Sequence, residues 1–228
     1  MRPSAAAFTK AERNDRFSGS VGASIMDVLI EALLMHSSND GLRSSANHPV
    51  WILREEHRLM LLVVDAMEEE SRLMLAGEPM RTEFWRRVVE FLEHFMDRLH
   101  HAKEEAVLFP ELARLGVAGA FAAAESLCAE HAEGRRVVRT LLEALARRDA
   151  SRMAHACIGF CRRERQHIAR EEEQLLPLCL SQLAPEHAAR LAQAFDAHVQ
   201  TQDPTILARC RDIARFVAPV EVFETFAV

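Results

Sequence analysis

The stretch HHAKEEAVLFPEL, residues 100–112, decides the fold of this chain, because its pattern returns as HIAREEEQLLPL at residues 167–178. In both segments a glutamate follows a histidine by four residues and a proline follows it by ten. The residues are His100, Glu104 and Pro110 in the first segment, and His167, Glu171 and Pro177 in the second. Residues four apart on a helix lie on one face, one turn above each other. Each segment can therefore direct one imidazole and one carboxylate into the interior of a helical protein.

Single histidines on the preceding helices complete an internal repeat. Each of those helices carries one Glu-His pair, Glu56-His57 in the first half and Glu130-His131 in the second. The chain thus offers four imidazoles and two carboxylates, a nitrogen and oxygen ligand set that suits iron, manganese or zinc. Burying these groups without a metal would cost on the order of several kcal/mol for each unpaired charge. The repeat therefore predicts a metal site, in which two carboxylates can bridge a metal pair while each metal takes two histidines. The predicted ligands are His57, His100, Glu104, His131, His167 and Glu171.

Two adjacent histidines at 100 and 101 raise the question of which one faces inward. His100 belongs to a row spaced by four residues that is apolar apart from the proposed ligands. That row is Leu92, Met96, His100, Glu104 and Leu108. The corresponding row through His101 contains Asp97 and Glu105. We therefore expect His100 and Glu104 to be buried and His101 to face solvent.

The positions of proline, glycine and good helix formers divide the rest of the chain into helices. We expect helices over about residues 23–36, 49–76, 82–115, 118–148 and 151–183, followed by helices that begin near Pro185 and Pro204. Four long helices with short connections predict an all-α fold, an antiparallel up-down four-helix bundle with extra N- and C-terminal helices. The predicted domains are an N-terminal tail and helix (1–48), the bundle (49–183) and a C-terminal helical extension (184–228).

The composition excludes several classes of partner and location. Apolar residues make up 49% of the chain and the formal net charge is −6. Because no basic stripe interleaved with aromatics occurs, we expect no nucleic-acid partner. Val21 to Met35, the most apolar early segment, carries two acidic residues and is too short to span a bilayer. With five cysteines and no CxxC pair, the sequence predicts a cytoplasmic protein with reduced thiols and no membrane partner.

Together these segments resemble the hemerythrin-like (HHE) cation-binding family over about residues 49–183. The resemblance implies a non-haem di-iron centre on the six residues named above, with the two glutamates and an oxo or hydroxo group between the irons. Zinc or manganese are alternatives. It also implies binding of oxygen or nitric oxide, and a part in oxygen or redox sensing, iron handling, or the response to nitrosative or oxidative stress. We expect a protein that binds metal and small ligands rather than a dedicated enzyme.

One position departs from the oxygen carriers of that family. They have a second histidine one turn after the ligand of the third helix, where this chain has Arg135. The resemblance then implies a centre with one histidine fewer and a more open coordination sphere.

Two other classes of function remain open from the sequence. Ferritin-like di-iron proteins use Glu-x-x-His on two helices, and Glu164 with His167 fits that spacing. Glu56 and Glu130 could supply further carboxylates, but Glu104 would then have no role. The third class is a metal-free helical interaction protein. Metal content after purification separates this last class from the other two.

Overall fold

The computed structural model describes residues 48–217, and every regular element within that range is helical. The elements are α1 (Pro49–Leu75), α2 (Thr82–Phe91), the π-helical segments π1 (Leu92–His101) and π2 (Glu104–Leu108), α3 (Phe109–Arg114), α4 (Ala120–Arg147), α5 (Ala150–Arg170), the π-helical segment π3 (Glu171–Leu175), α6 (Leu176–Gln182), α7 (Pro185–Gln200) and α8 (Pro204–Val217). The helices predicted within residues 49–183 and those predicted to begin near Pro185 and Pro204 are confirmed. The helix predicted over about 23–36 lies outside the described residues.

Four long helical stretches carry the predicted ligands: α1, residues 82–114, α4 and residues 150–182. We call them the first to fourth stretches. The first begins with Pro49, whose fixed backbone angle and missing N–H suit a first helical turn. His48 caps it, because its Nδ1 accepts a hydrogen bond from the Val50 N–H at 3.3 Å. The stretch ends before Gly77, which has a φ of 98° that favours glycine.

The two His-x-x-x-Glu segments share an unusual local structure. Glu104 begins π2 and Glu171 begins π3, and a proline follows each π segment as the second residue of a short α-helix. A proline ring clashes with the carbonyl four residues before it in a regular α-helix. A wider π turn before Pro110 and Pro177 can relieve that clash. The sequence repeat is therefore also a repeat of backbone conformation.

The first and third stretches both pack against the fourth, in contacts between α1 and α5 and between α4 and α5. The second stretch contacts the third through α2 and π1. The last two helices lie along the outside, where α7 contacts α1 and π2, and α8 contacts α1 and α2. The arrangement is consistent with a helical bundle. None of the helices within residues 48–217 is long and apolar enough to cross a membrane.

A layer of buried polar residues separates two apolar clusters. Along α1, Leu53 belongs to one cluster and Met60 to the other, while His57 lies between them. Along the fourth stretch, Cys161 and Leu175 belong to opposite clusters. The polar layer is therefore enclosed above and below by hydrophobic side chains.

Candidate metal centre

All six predicted ligands lie in this polar layer, and none is more than 3% exposed. They form two overlapping groups, in each of which one ligand atom per residue lies within 4.8 Å of the others. The first group is His57, His100, Glu104 and Glu171. The second group is Glu104, His131, His167 and Glu171. The structure thus brings together all six residues, with the two glutamates common to both groups.

Glu104 divides its two oxygens between the groups. Its Oε1 lies 3.7 Å from Nε2 of His100, and its Oε2 lies 3.5 Å from Nε2 of His131. A carboxylate that faces one imidazole with each oxygen has the orientation of a bridging ligand.

The two oxygens of Glu171 are divided between the groups in the same way. Its Oε2 lies 3.1 Å from Nε2 of His57, and its Oε1 lies 3.2 Å from Nε2 of His167. The two carboxylates therefore separate the imidazoles into two halves, one with His57 and His100 and the other with His131 and His167. Within the second half, the two Nε2 atoms are 3.1 Å apart.

Each of these four histidines is held from behind by a carboxylate, 2.8 Å from its Nδ1 atom. The pairs are His57 with Glu172, His100 with Glu56, His131 with Glu105, and His167 with Glu130. We call these glutamates the outer carboxylates. In a neutral ring whose Nδ1–H donates outward, the lone pair of Nε2 faces the centre, and this is the tautomer that binds a metal.

A cation in turn pairs with each outer carboxylate. These outer cations are Arg54 on Glu172, Lys103 on Glu56, Arg135 on Glu105 and Arg170 on Glu130. The arginine side chains are between 23% and 45% exposed, but that of Lys103 is completely buried. Lys103 also lies 5.2 Å from the ring centre of Phe195, which α7 contributes.

His101 is buried, so the prediction that it faces solvent was wrong. It is only 4% exposed, and its ring stacks on that of His131 at 3.9 Å between centroids. His101 also forms a group of possible metal ligands with His131 and His167. The physical reason is π1, because a π-helix advances less around its axis per residue than an α-helix. Two adjacent histidines can then both face the interior.

Arg135 lies on the outer side of the layer rather than in a ligand position. Its guanidinium donates to Asp97 at 2.6 Å and to Glu105 at 2.7 Å. How many histidines bind a metal stays a prediction, although five imidazoles lie in the layer. The second stretch supplies the fifth imidazole through His101, and the third stretch supplies only His131.

The buried donor atoms fit a metal better than they fit each other. Seven of them lack any hydrogen-bond partner among the described residues, although they lie close together. They are Nε2 of His57, His100 and His101 and both carboxylate oxygens of Glu104 and Glu171. Buried polar atoms in proteins nearly always have a partner. Cations between the two halves would satisfy all of these atoms at once.

In the metal-free cluster a proton takes the place of a cation at His57: burial opposes its charge, but Glu171 and Glu172 outweigh burial and raise the pKa of His57 to about 9. Burial, followed by the charge of the facing Glu171, raises the pKa of Glu104 well above its usual value. Burial also works against ionised Glu171, but His167 and His57 outweigh it and hold the pKa of Glu171 at about 2. Burial and the neighbouring His131 lower the pKa of His101 far below its usual value, which keeps the imidazole neutral. A neutral imidazole is the form that binds a metal.

Glu164 is buried beside the centre but belongs to neither group. Its Oε1 lies 3.9 Å from Nε2 of His101 and has no hydrogen-bond partner among the described residues. Burial raises the pKa of Glu164 to about 6, against the opposing effect of His167. The ferritin-like ligand set is not reproduced, because Glu56 and Glu130 bind outer nitrogen atoms of histidines.

Residues 48–179, more than half of the 228-residue chain, match the family model described as the hemerythrin HHE cation binding domain. No match is found among the curated proteins or the solved structures. The matched range contains both donor groups, the outer carboxylates and the outer cations. Phe195 and helix α8 lie beyond it.

Proposed function

Because the chain belongs to the hemerythrin HHE cation-binding domain family, we propose that its centre holds two iron ions and binds a small diatomic ligand, oxygen or nitric oxide. Membership of this family and the clustered histidines and glutamates indicate metal binding. The observation that carries the proposal of two ions is the division of both Glu104 and Glu171 between two sets of imidazoles.

The proposed ligand assignment follows this division. One iron would be held by His57 and His100, and the other by His101, His131 and His167. Glu104 and Glu171 would bridge the two. Mixed imidazole and carboxylate donors suit iron, and two bridged irons would supply electron transfer and a position for the diatomic ligand. Zinc and manganese have compatible donor preferences, so the metal must be measured.

The proposed scaffold is an antiparallel four-helix bundle formed by the four long stretches. Their short connections at residues 76–81, 115–119 and 148–149 support this arrangement, since short connections favour antiparallel neighbours. The proposed role of the loaded protein is oxygen or redox sensing, iron handling, or a response to oxidative or nitrosative stress.

The test is metal analysis and an optical spectrum of the full chain purified from iron-replete cells. The proposal expects two irons for each chain, with near-ultraviolet absorption typical of bridged ferric ions. One iron for each chain would contradict the two-metal centre. A protein that takes up no metal, even when reconstituted with ferrous ion without oxygen, would support the metal-free class instead.

The ferritin-like alternative has less support. It requires Glu56, Glu130 and Glu164 as ligands, but the first two hydrogen-bond to Nδ1 of His100 and His167. It also leaves Glu104 without a role, although both of its oxygens are buried and face imidazoles.

A further inference from the structure

A cavity of about 280 Å³ lies between π1 and α4 and reaches the metal centre at His101. Its outer rim contains the partly exposed residues Asp97 and Arg135, whereas Met96 and Phe160 at its inner end are buried. The cavity therefore leads from the surface toward one of the five imidazoles of the centre.

The walls of this cavity suit a small uncharged molecule. Leu92, Met96, Val138 and Phe160 contribute apolar surface. The charge of Arg135 is already neutralised by short hydrogen bonds to Asp97 and Glu105. Glu93 and Arg139 also line the cavity, at a half-buried and an exposed position, so charges of both signs lie toward its surface end while its buried end is apolar. Enclosed apolar spaces bind inert guests such as xenon, and the buried end of this cavity, at Met96 and Phe160, offers such a surface.

We propose that this cavity is a binding site for small neutral apolar molecules and the route by which a diatomic ligand reaches the metal centre. The claim that the route leads to a metal rests on the proposed function. The claim that small molecules bind in the cavity does not. The expected ligand of the cavity is a neutral diatomic gas. The cavity brings this gas as far as the ring of His101.

Gly134 provides the position from which the route can be closed. It lies on α4 and lines the cavity, and an added Cβ would meet Phe160 Cε2 at 3.8 Å, an ordinary contact. A longer side chain at this position would extend into the cavity without displacing the backbone. Gly159 is a matched control, since it is also a helical glycine but does not line the cavity.

The first experiment is crystallography of the full chain under xenon pressure, located by anomalous scattering. We expect xenon beside Met96 and Phe160 in the unmodified protein and in Gly159→Leu, and none there in Gly134→Leu. Val138→Phe, which narrows the same cavity from a partly exposed position, serves if Gly134→Leu does not fold. Absence of xenon from the unmodified cavity would overturn the proposal, whatever the metal content.

The second experiment measures nitric oxide association with the reduced, iron-loaded variants by stopped-flow absorption. We expect the association rate to fall about tenfold in Gly134→Leu, the change that a modest added entry barrier produces, and to stay near that of the parent in Gly159→Leu. The iron content should be equal in all three proteins. An unchanged rate in a variant that excludes xenon would refute the route. A parent protein without iron would instead refute the proposed function and leave the xenon result to decide the cavity.

Discussion

Replacement of Lys103 by methionine tests whether the outer cations hold the centre together. The ammonium group of Lys103 binds Oε1 of Glu56, whose other oxygen accepts the hydrogen bond from His100. Both members of this ion pair are buried, at 0% and 2% exposure. Methionine keeps an unbranched apolar stem beside Phe195 but removes the charge. Glu56 is then left in the interior without its cation.

The magnitude follows from the pKa of Glu56. Burial by itself would raise this pKa, but Lys103 and His100 lower it from 4.5 to about 2. At 1.36 kcal/mol for each pKa unit, this lowering corresponds to roughly 3 kcal/mol, and breaking a buried pair costs about 3–5 kcal/mol. Because the folded-state pKa is depressed, the stabilisation is present above pH 4.5 and is lost as the pH falls toward 2. The variant should therefore lose about 3 kcal/mol at pH 7 and much less near pH 2.

The assay is urea unfolding of the metal-free full chain at pH 7 and at low pH, followed by iron analysis. Arg54→Met is the matched control, since Arg54 pairs with Glu172 at 2.8 Å but its side chain is 23% exposed. Exposed pairs contribute about 1 kcal/mol or less. We also expect iron to be lost first from the site of His100 in Lys103→Met. Equal destabilisation by the two substitutions would refute the reasoning that burial makes Lys103 different.

Three further results are expected. His101→Ala should lower the iron content because it removes one of five imidazoles, whereas His94→Ala on the same stretch should not; equal iron in both would exclude His101 as a ligand. Glu171→Ala should disturb the iron content and optical spectrum far more than Glu164→Ala, because Glu171, unlike Glu164, faces both halves of the centre; the reverse order would favour the ferritin-like class. The reduced iron protein should bind nitric oxide, because the half with two imidazoles leaves more coordination positions open than the half with three; an absorption spectrum unchanged by nitric oxide would contradict this.

The long helices and the six predicted ligands could be derived from the sequence, because the residues that begin and end a helix agreed with the spacing of the histidines and glutamates. Pro49 and Gly77 delimit α1 by backbone preferences that act within one turn. The four-residue spacing of histidine and glutamate gives the same inward face twice. Both segments lie in the buried polar layer, as the apolar row through His100 predicted. The proposed two-iron content and the division into domains at residues 48 and 183 stay predictions.

His101 could not be placed by the same reasoning, because it assumed regular α-helical geometry throughout. In an α-helix, two neighbouring residues point about 100° apart, so one inward histidine excludes the other. π1 ends at His101 and changes that relation. Pro110 does not explain π1, because its ring clashes with the carbonyl four residues before it, which lies in π2. Neither the spacing nor the apolar row reports such a local change in helix type.

Lys103 and the outer carboxylates were missed for another reason, since their partners lie on other stretches. Each outer carboxylate is adjacent in sequence to a predicted ligand. Glu56 precedes His57 and Glu130 precedes His131, while Glu105 follows Glu104 and Glu172 follows Glu171. A side chain next to an inward ligand points sideways along the same layer, toward a neighbouring helix. A glutamate next to a predicted ligand therefore indicates a contact with another stretch. The spacing of residues within one helix does not identify the partner in that contact.

These contacts form a closed ring, and the ring explains why the Glu-His and Glu-Glu pairs recur. The first stretch supplies the carboxylate for the histidine of the second, the second for the third, the third for the fourth, and the fourth for the first. Each outer cation lies three or four residues from the histidine of its own stretch and binds the same carboxylate. His101 is outside the ring, because its Nε2 faces Glu164 at 3.9 Å. Since each outer carboxylate joins two stretches, the removal of Lys103 acts through Glu56 of the first stretch on His100 of the second. The loss of stability in Lys103→Met and the loss of iron at His100 should therefore occur together.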